Sequence, residues 1–135
     1  MEMSYSLSEI DIIAKKICDY IKHPIVAFNG PMGSGKTTLI KSICKNLNFR
    51  ENISSPTFSL VNTYKNDSNK IIHHFDFYRI ESVEEALDFG VEEYLDSGDK
   101  CFMEWSEKIS FLLSYPMNTI DIRVINDNER QIKII

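Results

Sequence analysis

The sequence lacks the features of a secreted, membrane-spanning or disulfide-stabilised protein. Its first residues, Met1–Tyr5, include no basic region followed by a long apolar run, so we expect neither a signal peptide nor a membrane span. Its three cysteines, Cys18, Cys44 and Cys101, are odd in number and widely spaced, without the paired spacing of a zinc site or a redox dithiol. These absences predict a cytoplasmic protein with reduced, structural thiols.

Basic residues are outnumbered by acidic ones, with 15 Lys and Arg against 20 Asp and Glu. The formal net charge is −5, which argues against a protein whose main task is to hold a nucleic-acid backbone. Residues 81–99 contain eight acidic side chains and no Lys or Arg. Two interpretations of this acidic segment stay open: a solvated helix face, or a contact surface for a basic partner protein.

The length of the chain limits its organisation. With 135 residues and an apolar content of 43%, it is long enough for a hydrophobic core but too short for a separate substrate domain. We therefore expect residues 1–135 to form a single domain, with its function close to its most distinctive motif.

That motif is Gly30-Pro31-Met32-Gly33-Ser34-Gly35-Lys36-Thr37, which reads G-x-x-x-x-G-K-T, the P-loop pattern. Strand formers at 25–28 precede it and helically spaced apolar residues at 38–44 follow it. In this context, successive backbone N–H groups form an anion-binding nest at the positive end of a helix. Polyphosphate fits such a nest, with Lys36 reaching the β- and γ-phosphates and the Thr37 hydroxyl ligating Mg²⁺. The predicted nucleotide-binding residues are Gly30, Met32, Gly33, Ser34, Gly35, Lys36, Thr37 and Thr38.

Helix signals occur on both sides of this motif. Ser6 and Glu9 form a capping box ahead of an amphipathic helix that should end near His23-Pro24. Further along, Ser82 and Glu85 form a second capping box.

Gly90 is placed to end the helix that this second box begins. Residues 91–95 then predict one further turn, and residues 106–115 predict a short helix before a proline.

Two pairs of alternating, β-rich runs predict hairpins. Phe58–Tyr64 and Ile71–Tyr78 flank the polar cluster at 65–70, and Thr119–Ile125 and Gln131–Ile135 flank another polar turn. Together with the strand and helix of the motif, they predict an α/β fold: a P-loop NTPase-like mixed sheet with flanking helices and antiparallel hairpin extensions.

Two carboxylates are placed for metal or water chemistry. Asp76 lies inside an apolar strand, where it is either a metal-linked group or a solvent-facing residue of the alternation. Glu104 ends the apolar run 101–103, where a P-loop enzyme uses an acid near its metal or attacking water; the alternative is a surface glutamate. The adjacent His73 and His74 point to opposite strand faces, which argues against a shared zinc site. We expect His74 to orient groups near Asp76.

Four motifs in order carry a resemblance to a known family: the P-loop, Ser55-Pro56-Thr57-Phe58, His74-Phe75-Asp76-Phe77-Tyr78-Arg79 and Glu104-Trp105. Together they closely resemble the TsaE (YjeE) family, the small ATPases of bacterial tRNA threonylcarbamoyladenosine synthesis. The match covers nearly the whole chain. The sequence departs from the family where Pro31 replaces a frequent acidic residue and Ser34 a frequent Ala, and the missing N–H of Pro31 bears on the affinity of the loop.

The resemblance implies roles for individual residues. Thr57 is similar to the family's switch-type threonine near Mg²⁺ and the γ-phosphate, Asp76 to its metal-linked aspartate, and Glu104 to its hydrolysis-linked glutamate. Trp105 follows as a structural or nucleotide-sensing neighbour. The implied catalytic residues are Lys36, Glu104 and Thr57, and the implied metal residues are Thr37, Asp76 and Glu104.

The resemblance also implies ligands and partners. ATP and Mg²⁺ would be bound, and TsaB and TsaD would be the partners, which join threonylcarbamoyl-adenylate to the adenosine beside the anticodon of certain tRNAs. The ATPase would support turnover of that complex, contacting tRNA only indirectly and no membrane.

Two other function classes stay open: a small-molecule kinase and a nucleotide-dependent, non-catalytic scaffold. The arginines of the chain are scattered, unlike those of a kinase lid, and no N-K-x-D motif for reading guanine is present.

Overall fold

A computed structural model describes residues 1–50, 52–56 and 59–135, which form a mixed sheet flanked by helices. The strands are β1 (Glu2–Ser6), β2 (Ile25–Asn29), β3 (Val61–Lys65), β4 (Ile71–Asp76), β5 (Lys100–Glu104), β6 (Asn118–Asn126) and β7 (Glu129–Ile134). The α-helices are α1 (Ile10–Tyr20), α2 (Lys36–Asn46), α3 (Val83–Phe89) and α4 (Val91–Asp96), with 3₁₀ segments at Leu7–Glu9 and Ser106–Leu112.

The sheet is parallel at its centre and antiparallel at its ends. Its strand order is β1-β7-β6-β2-β5-β4-β3. β2 pairs in parallel with β5 and β6, and β5 pairs in parallel with β4. The hairpins β3–β4 and β6–β7 extend the sheet on both sides, as predicted, so the expected fold class is confirmed.

Strand β1 was not predicted from the sequence. It pairs antiparallel with β7 and forms one edge of the sheet. Its inward side chain, Tyr5, is buried in the same cluster as Ile132 and Ile134 of β7. Only a five-residue alternation marks this strand in the sequence. So short a pattern does not distinguish a strand from an irregular polar segment.

Both faces of the central strands are covered by helices. Val26 and Phe28 of β2 pack in the cluster that includes α1 and α2, whereas Ile25 and Ala27 pack in the cluster with α3 and α4. A parallel strand that is buried on both faces needs apolar side chains at every position, which explains why residues 25–28 are all apolar. The end of β2 is therefore held firmly from both sides.

The start of the first helix agrees with the sequence, but its end does not. The Ser6 N–H donates to Glu9 Oε1 at 2.9 Å, so the predicted capping box forms. The helix ends at Tyr20, ahead of the predicted His23-Pro24, because Ile21 is extended and Asn118 Oδ1 accepts hydrogen bonds from the N–H groups of the next two residues.

The second predicted capping box is wrong. Glu85 Oε1 accepts from the Glu81 N–H at 3.0 Å, and the Ser82 side chain makes no capping hydrogen bond. Gly90 does end the helix, in a left-handed conformation with φ of 88°, and α4 begins directly after it. The predicted helix at 106–115 is a shorter 3₁₀ segment, interrupted by non-helical backbone at Ile109.

Within the described ranges, no helix has the length and apolar character needed to cross a bilayer. Burial raises the pKa of both Cys44 and Cys101 to about 12, so both are protonated thiols near neutral pH.

Asn118 ties the end of α1 to the C-terminal strand, and we expect its removal to be costly. Its Oδ1 accepts from the Lys22 and His23 N–H groups, and its Nδ2 donates to the Ile135 carbonyl. Asn118→Ala should lower the free energy of unfolding by about 1–3 kcal/mol, because these backbone groups lose their partner. Urea denaturation measures the change.

Asn126→Ala is the matched control, because the Asn126 side chain lies exposed in the β6–β7 turn and accepts from one N–H group. It should change the unfolding free energy by about 0.5 kcal/mol or less. Equal losses in the two variants would contradict the bridging role of Asn118.

Candidate functional site

The glycine-rich loop, residues 30–37, connects the end of β2 to the first turn of α2. Gly35 has a φ of 99°, in the left-handed region that favours glycine, and caps the helix. A Cβ on Gly30 would lie 2.5 Å from Ser34 Oγ and 3.0 Å from the Ile122 carbonyl oxygen, so the chain tolerates no side chain there. The loop is thereby folded tightly against the positive end of an 11-residue helix.

Lys36 is folded back over this loop. Its Nζ donates to the Gly30 carbonyl and lies 3.9 Å from the centroid of the Trp105 ring. Burial lowers the pKa of the Lys36 ammonium, and the negative charges of Glu104, Glu107 and Asp76 oppose that shift. Trp105 itself has a φ of 59°, an uncommon conformation for a bulky residue. The ammonium is thus held by a carbonyl and a ring face beside a cluster of carboxylates.

Glu104 lies beneath the start of α2. Its Oε1 and Oε2 accept hydrogen bonds from Thr37 Oγ1 at 3.0 and 2.9 Å. The parallel pairing of β5 with β2 places Glu104 opposite Phe28, two residues before the loop begins. Only 3% of Glu104 is exposed, so the alternative of a surface glutamate is wrong.

Asp76 stands beside Glu104 on the neighbouring parallel strand. The two residues are register partners at the carboxyl ends of β4 and β5. Asp76 Oδ2 accepts from Ser55 Oγ at 2.9 Å, and Oδ1 accepts from the Tyr78 N–H at 3.0 Å. Asp76 is 8% exposed, so its alternative as a solvent-facing strand residue is also wrong.

Most of the predicted residues line one depression of about 470 Å³. Of the predicted set, its lining includes the loop from Met32 onward, Thr38, Asp76 and Glu104, while Gly30 contributes the carbonyl that binds Lys36. Trp105 and Ser55 also line this depression. The predicted residue Thr57 lies outside the described residues.

The oxygen atoms at this depression suit a hard cation. Thr37 supplies a hydroxyl, and Asp76 and Glu104 supply carboxylates, which are ligand types that Mg²⁺ takes together with phosphate oxygens and water. In the described ranges, no group of three or more His, Cys, Asp or Glu side chains is assembled to hold a metal by itself. The donor set therefore fits Mg²⁺ that shares its coordination with a bound phosphate.

The two adjacent histidines lie in different environments. His74 contacts Glu104, with 2.7 Å between His74 Nε2 and Glu104 Oε2. The sequence predicted that His74 orients groups near Asp76, and the group that it contacts is Glu104, the register partner of Asp76. His73 points to the other sheet face, where its Nε2 lies 3.1 Å from Asp99 Oδ2.

Arg130 also contacts the glycine-rich loop. From the sequence alone, it was only one of several scattered arginines. Its Nε donates to the Ser34 carbonyl at 2.9 Å, and its Nη1 donates to the Asn126 and Glu129 carbonyls at 2.7 and 3.1 Å. Arg130 is 8% exposed and lies opposite Tyr5 in the inward register of β7. The sequence signal for its role was an arginine at an inward-facing position of β7, where the other inward-facing positions are apolar.

We expect Arg130 to hold the glycine-rich loop against the β6–β7 hairpin. Arg130→Met should lower the free energy of unfolding by about 1–3 kcal/mol, because the carbonyl of buried Ser34 loses its donor. Amide hydrogen exchange in the loop should accelerate as well.

Arg123→Met is the matched control, because Arg123 is exposed on the neighbouring strand β6. It should leave both measurements near those of the unmodified chain. Unchanged loop exchange in Arg130→Met would show that the guanidinium does not support the loop.

Comparisons with known proteins were consistent with one another. The family model described as "Threonylcarbamoyl adenosine biosynthesis protein TsaE" matches residues 4–133. A Rickettsia felis protein named "tRNA threonylcarbamoyladenosine biosynthesis protein TsaE" is 41% identical over 125 residues, covering 91% of this chain and 72% of the relative. A Bacillus subtilis protein of the same name is 33% identical over 125 residues, covering 92% of this chain and 77% of the relative.

A solved structure supports the same assignment. The crystal structure of Bacillus subtilis YdiB superposes with a TM-score of 0.76 at 25% identity, covering 99% of this chain and 84% of that chain. Fold, ordered motifs and sequence similarity over most of the length therefore agree: the chain belongs to the TsaE family of threonylcarbamoyl adenosine biosynthesis proteins.

Proposed function

We propose that this chain binds Mg-ATP at the glycine-rich loop and hydrolyses it in support of tRNA threonylcarbamoyladenosine synthesis. The observation that carries the proposal is the hydrogen bonding of Thr37, at the first turn of α2, to the buried carboxylate of Glu104. The relatives named for this biosynthesis support the biological setting.

The triphosphate would bind to the backbone N–H groups of the loop and to Lys36. The helix N-terminus favours negative charge, and a lysine ammonium adds a point charge for the β- and γ-phosphates. In the present arrangement, the Lys36 ammonium contacts the Gly30 carbonyl and the Trp105 ring. A phosphate oxygen is a stronger partner than either group, so Lys36 would turn toward the bound nucleotide.

The oxygens of Thr37, Asp76 and Glu104 would hold Mg²⁺ directly or through water. Bound Mg²⁺ supplies charge neutralisation at the phosphates. Glu104 would also orient the attacking water, and the burial of its carboxylate beside the loop supports that role. Thr57, two residues beyond Ser55, is proposed as the switch threonine that would contact the γ-phosphate.

TsaB and TsaD are the proposed partners. A chain of 135 residues with net charge −5 is poorly suited to gripping tRNA by itself, and its acidic side chains are concentrated on α3, α4 and the adjoining turns. We propose that it acts on proteins that hold tRNA. Hydrolysis should accordingly be slow for the chain alone and faster in the complex.

The experiment is a measurement of phosphate release from Mg-ATP by this chain, by the TsaB–TsaD pair, and by the mixture. The expected result is faster release in the mixture than the sum of the separate rates. ATP binding without release in any sample would favour the scaffold, and phosphate transferred to an acceptor would favour the kinase; both contradict the proposal.

Lys36→Ala tests the phosphate site. Loss of a charge-assisted contact of about 1.5–3 kcal/mol should weaken ATP binding roughly 10- to 100-fold and abolish measurable hydrolysis. Calorimetry and phosphate release measure these effects. Lys41→Ala is the control on the exposed side of the same helix, and equal ATP affinity in the two variants would remove Lys36 from the site.

Glu104→Gln and Asp76→Asn test the separate roles of the two carboxylates. Glu104→Gln should keep ATP bound but slow hydrolysis by about 100-fold or more, since the lost charge acts mainly in the transition state. Asp76→Asn should lose Mg²⁺ dependence and nucleotide affinity together.

Glu107→Gln is the control for general loss of negative charge, because exposed Glu107 also contributes to the field at Lys36. Its turnover should stay within about twofold of the unmodified chain, as expected for an exposed charge. Equal losses of binding in Glu104→Gln and Asp76→Asn would contradict separate roles.

A further inference from the structure

A hydrogen-bonded series extends behind the carboxylate of Glu104. His74 has no exposed surface, and its Nε2 lies 2.7 Å from Glu104 Oε2. On the other side of the ring, His74 Nδ1 lies 3.1 Å from the Tyr64 hydroxyl. That hydroxyl lies 2.9 Å from the Ser54 carbonyl oxygen. The series therefore joins β3, β4 and β5 directly below the candidate site.

The placement of hydrogens in this series follows from the donors and acceptors. Because an ionised carboxylate only accepts, His74 Nε2 must carry the hydrogen that points at Glu104. Burial raises the pKa of the Tyr64 hydroxyl, which keeps its one hydrogen. If that hydrogen goes to His74 Nδ1, the ring is neutral and Nδ1 accepts it; if it goes to the Ser54 carbonyl, Nδ1 must carry a second ring hydrogen to donate to Tyr64. In both arrangements, Nε2–H donates to Glu104.

This donor limits the orientations open to Glu104. Thr37 Oγ1 contacts both oxygens of the carboxylate, and His74 Nε2 contacts Oε2. Turning the carboxylate away would leave a buried imidazole N–H without an acceptor, which is unfavourable.

We propose that His74, supported by Tyr64, is a positioning residue that sets the orientation of the Glu104 carboxylate for ATP hydrolysis. This role rests on the proposed function, because it acts through a residue of that reaction. Tyr64 also contacts Ser54, and the next residue, Ser55, donates to Asp76. Residues 54 and 55 are thus connected to both carboxylates of the site.

The neighbouring histidine provides an internal control. His73 Nδ1 lies 2.9 Å from Thr63 Oγ1, and its Nε2 lies 3.1 Å from Asp99 Oδ2. The arrangement of hydroxyl, imidazole and carboxylate is the same, but it lies on the other sheet face. Asp99 precedes β5, so it lies about 16 Å from Glu104 along an extended strand.

The first test measures kcat and ATP affinity in the presence of TsaB and TsaD. His74→Leu should lower kcat roughly 10- to 100-fold while ATP affinity stays within about twofold. His74→Gln should recover part of kcat, because its amide N–H can replace Nε2–H as the donor. His73→Leu, the matched control, should leave kcat near that of the unmodified chain.

A double-variant cycle distinguishes positioning from general structural support. If His74 acts through Glu104, the variant with both His74→Leu and Glu104→Gln should be no slower than Glu104→Gln alone. A further tenfold loss in the double variant would overturn the proposal, as would a kcat for His74→Leu equal to that of the unmodified chain.

A measurement on folded protein without nucleotide gives an independent readout. The Nε2–H signal of His74 in ¹⁵N-edited NMR should be protected from exchange and should shift in Glu104→Gln but not in Asp99→Asn. A signal unchanged in Glu104→Gln would overturn the contact. Absence of phosphate release from the unmodified chain with TsaB and TsaD would instead contradict the proposed function, and the NMR result distinguishes the two failures.

Discussion

Parallel pairing of β5 with both β2 and β4 brings the chemistry of this chain to one edge of the sheet. The register places Glu104 opposite Phe28 on one side and opposite Asp76 on the other. Since parallel strands end at the same edge, the two carboxylates arrive where the glycine-rich loop leaves β2 and α2 begins. A shift of one residue would turn each carboxylate to the opposite face of the sheet.

The surrounding apolar packing is what makes buried carboxylates tolerable here. One cluster of buried residues lies between the sheet and helices α1 and α2, and another lies beneath α3 and α4. Buried charge costs free energy unless it is hydrogen-bonded, and each carboxylate at the site accepts hydrogen bonds from neighbouring groups. Such groups contribute little to stability, and their position in a depression beside the loop favours the proposed functional role.

The sequence predicted the parts of the site that depend on local pattern. The glycine-rich loop and the strand and helix around it lie within about twenty residues, and the end of β5 at Glu104 followed from an apolar run. Strand β4 ends at Asp76, two residues before the predicted Tyr78. Residues whose roles depend on strand order were harder to predict. Arg130 reaches Ser34 across the sheet, and His74 meets Glu104 because β4 and β5 are adjacent. Neither distance along the chain nor residue type specifies those contacts.

We propose that a metal-bound triphosphate occupies the glycine-rich loop and not another depression. Depressions of about 680 and 720 Å³ exist along β6 and β7 and between α1 and α2, and both are larger than the one at the loop. NMR relaxation with Mn²⁺ in place of Mg²⁺ on ATP measures which amides lie near the metal. We expect the strongest broadening at Gly35, Thr37, Asp76 and Glu104. Broadening centred instead on Arg123 and Lys133, or on Lys45 and Arg50, would contradict binding at the loop.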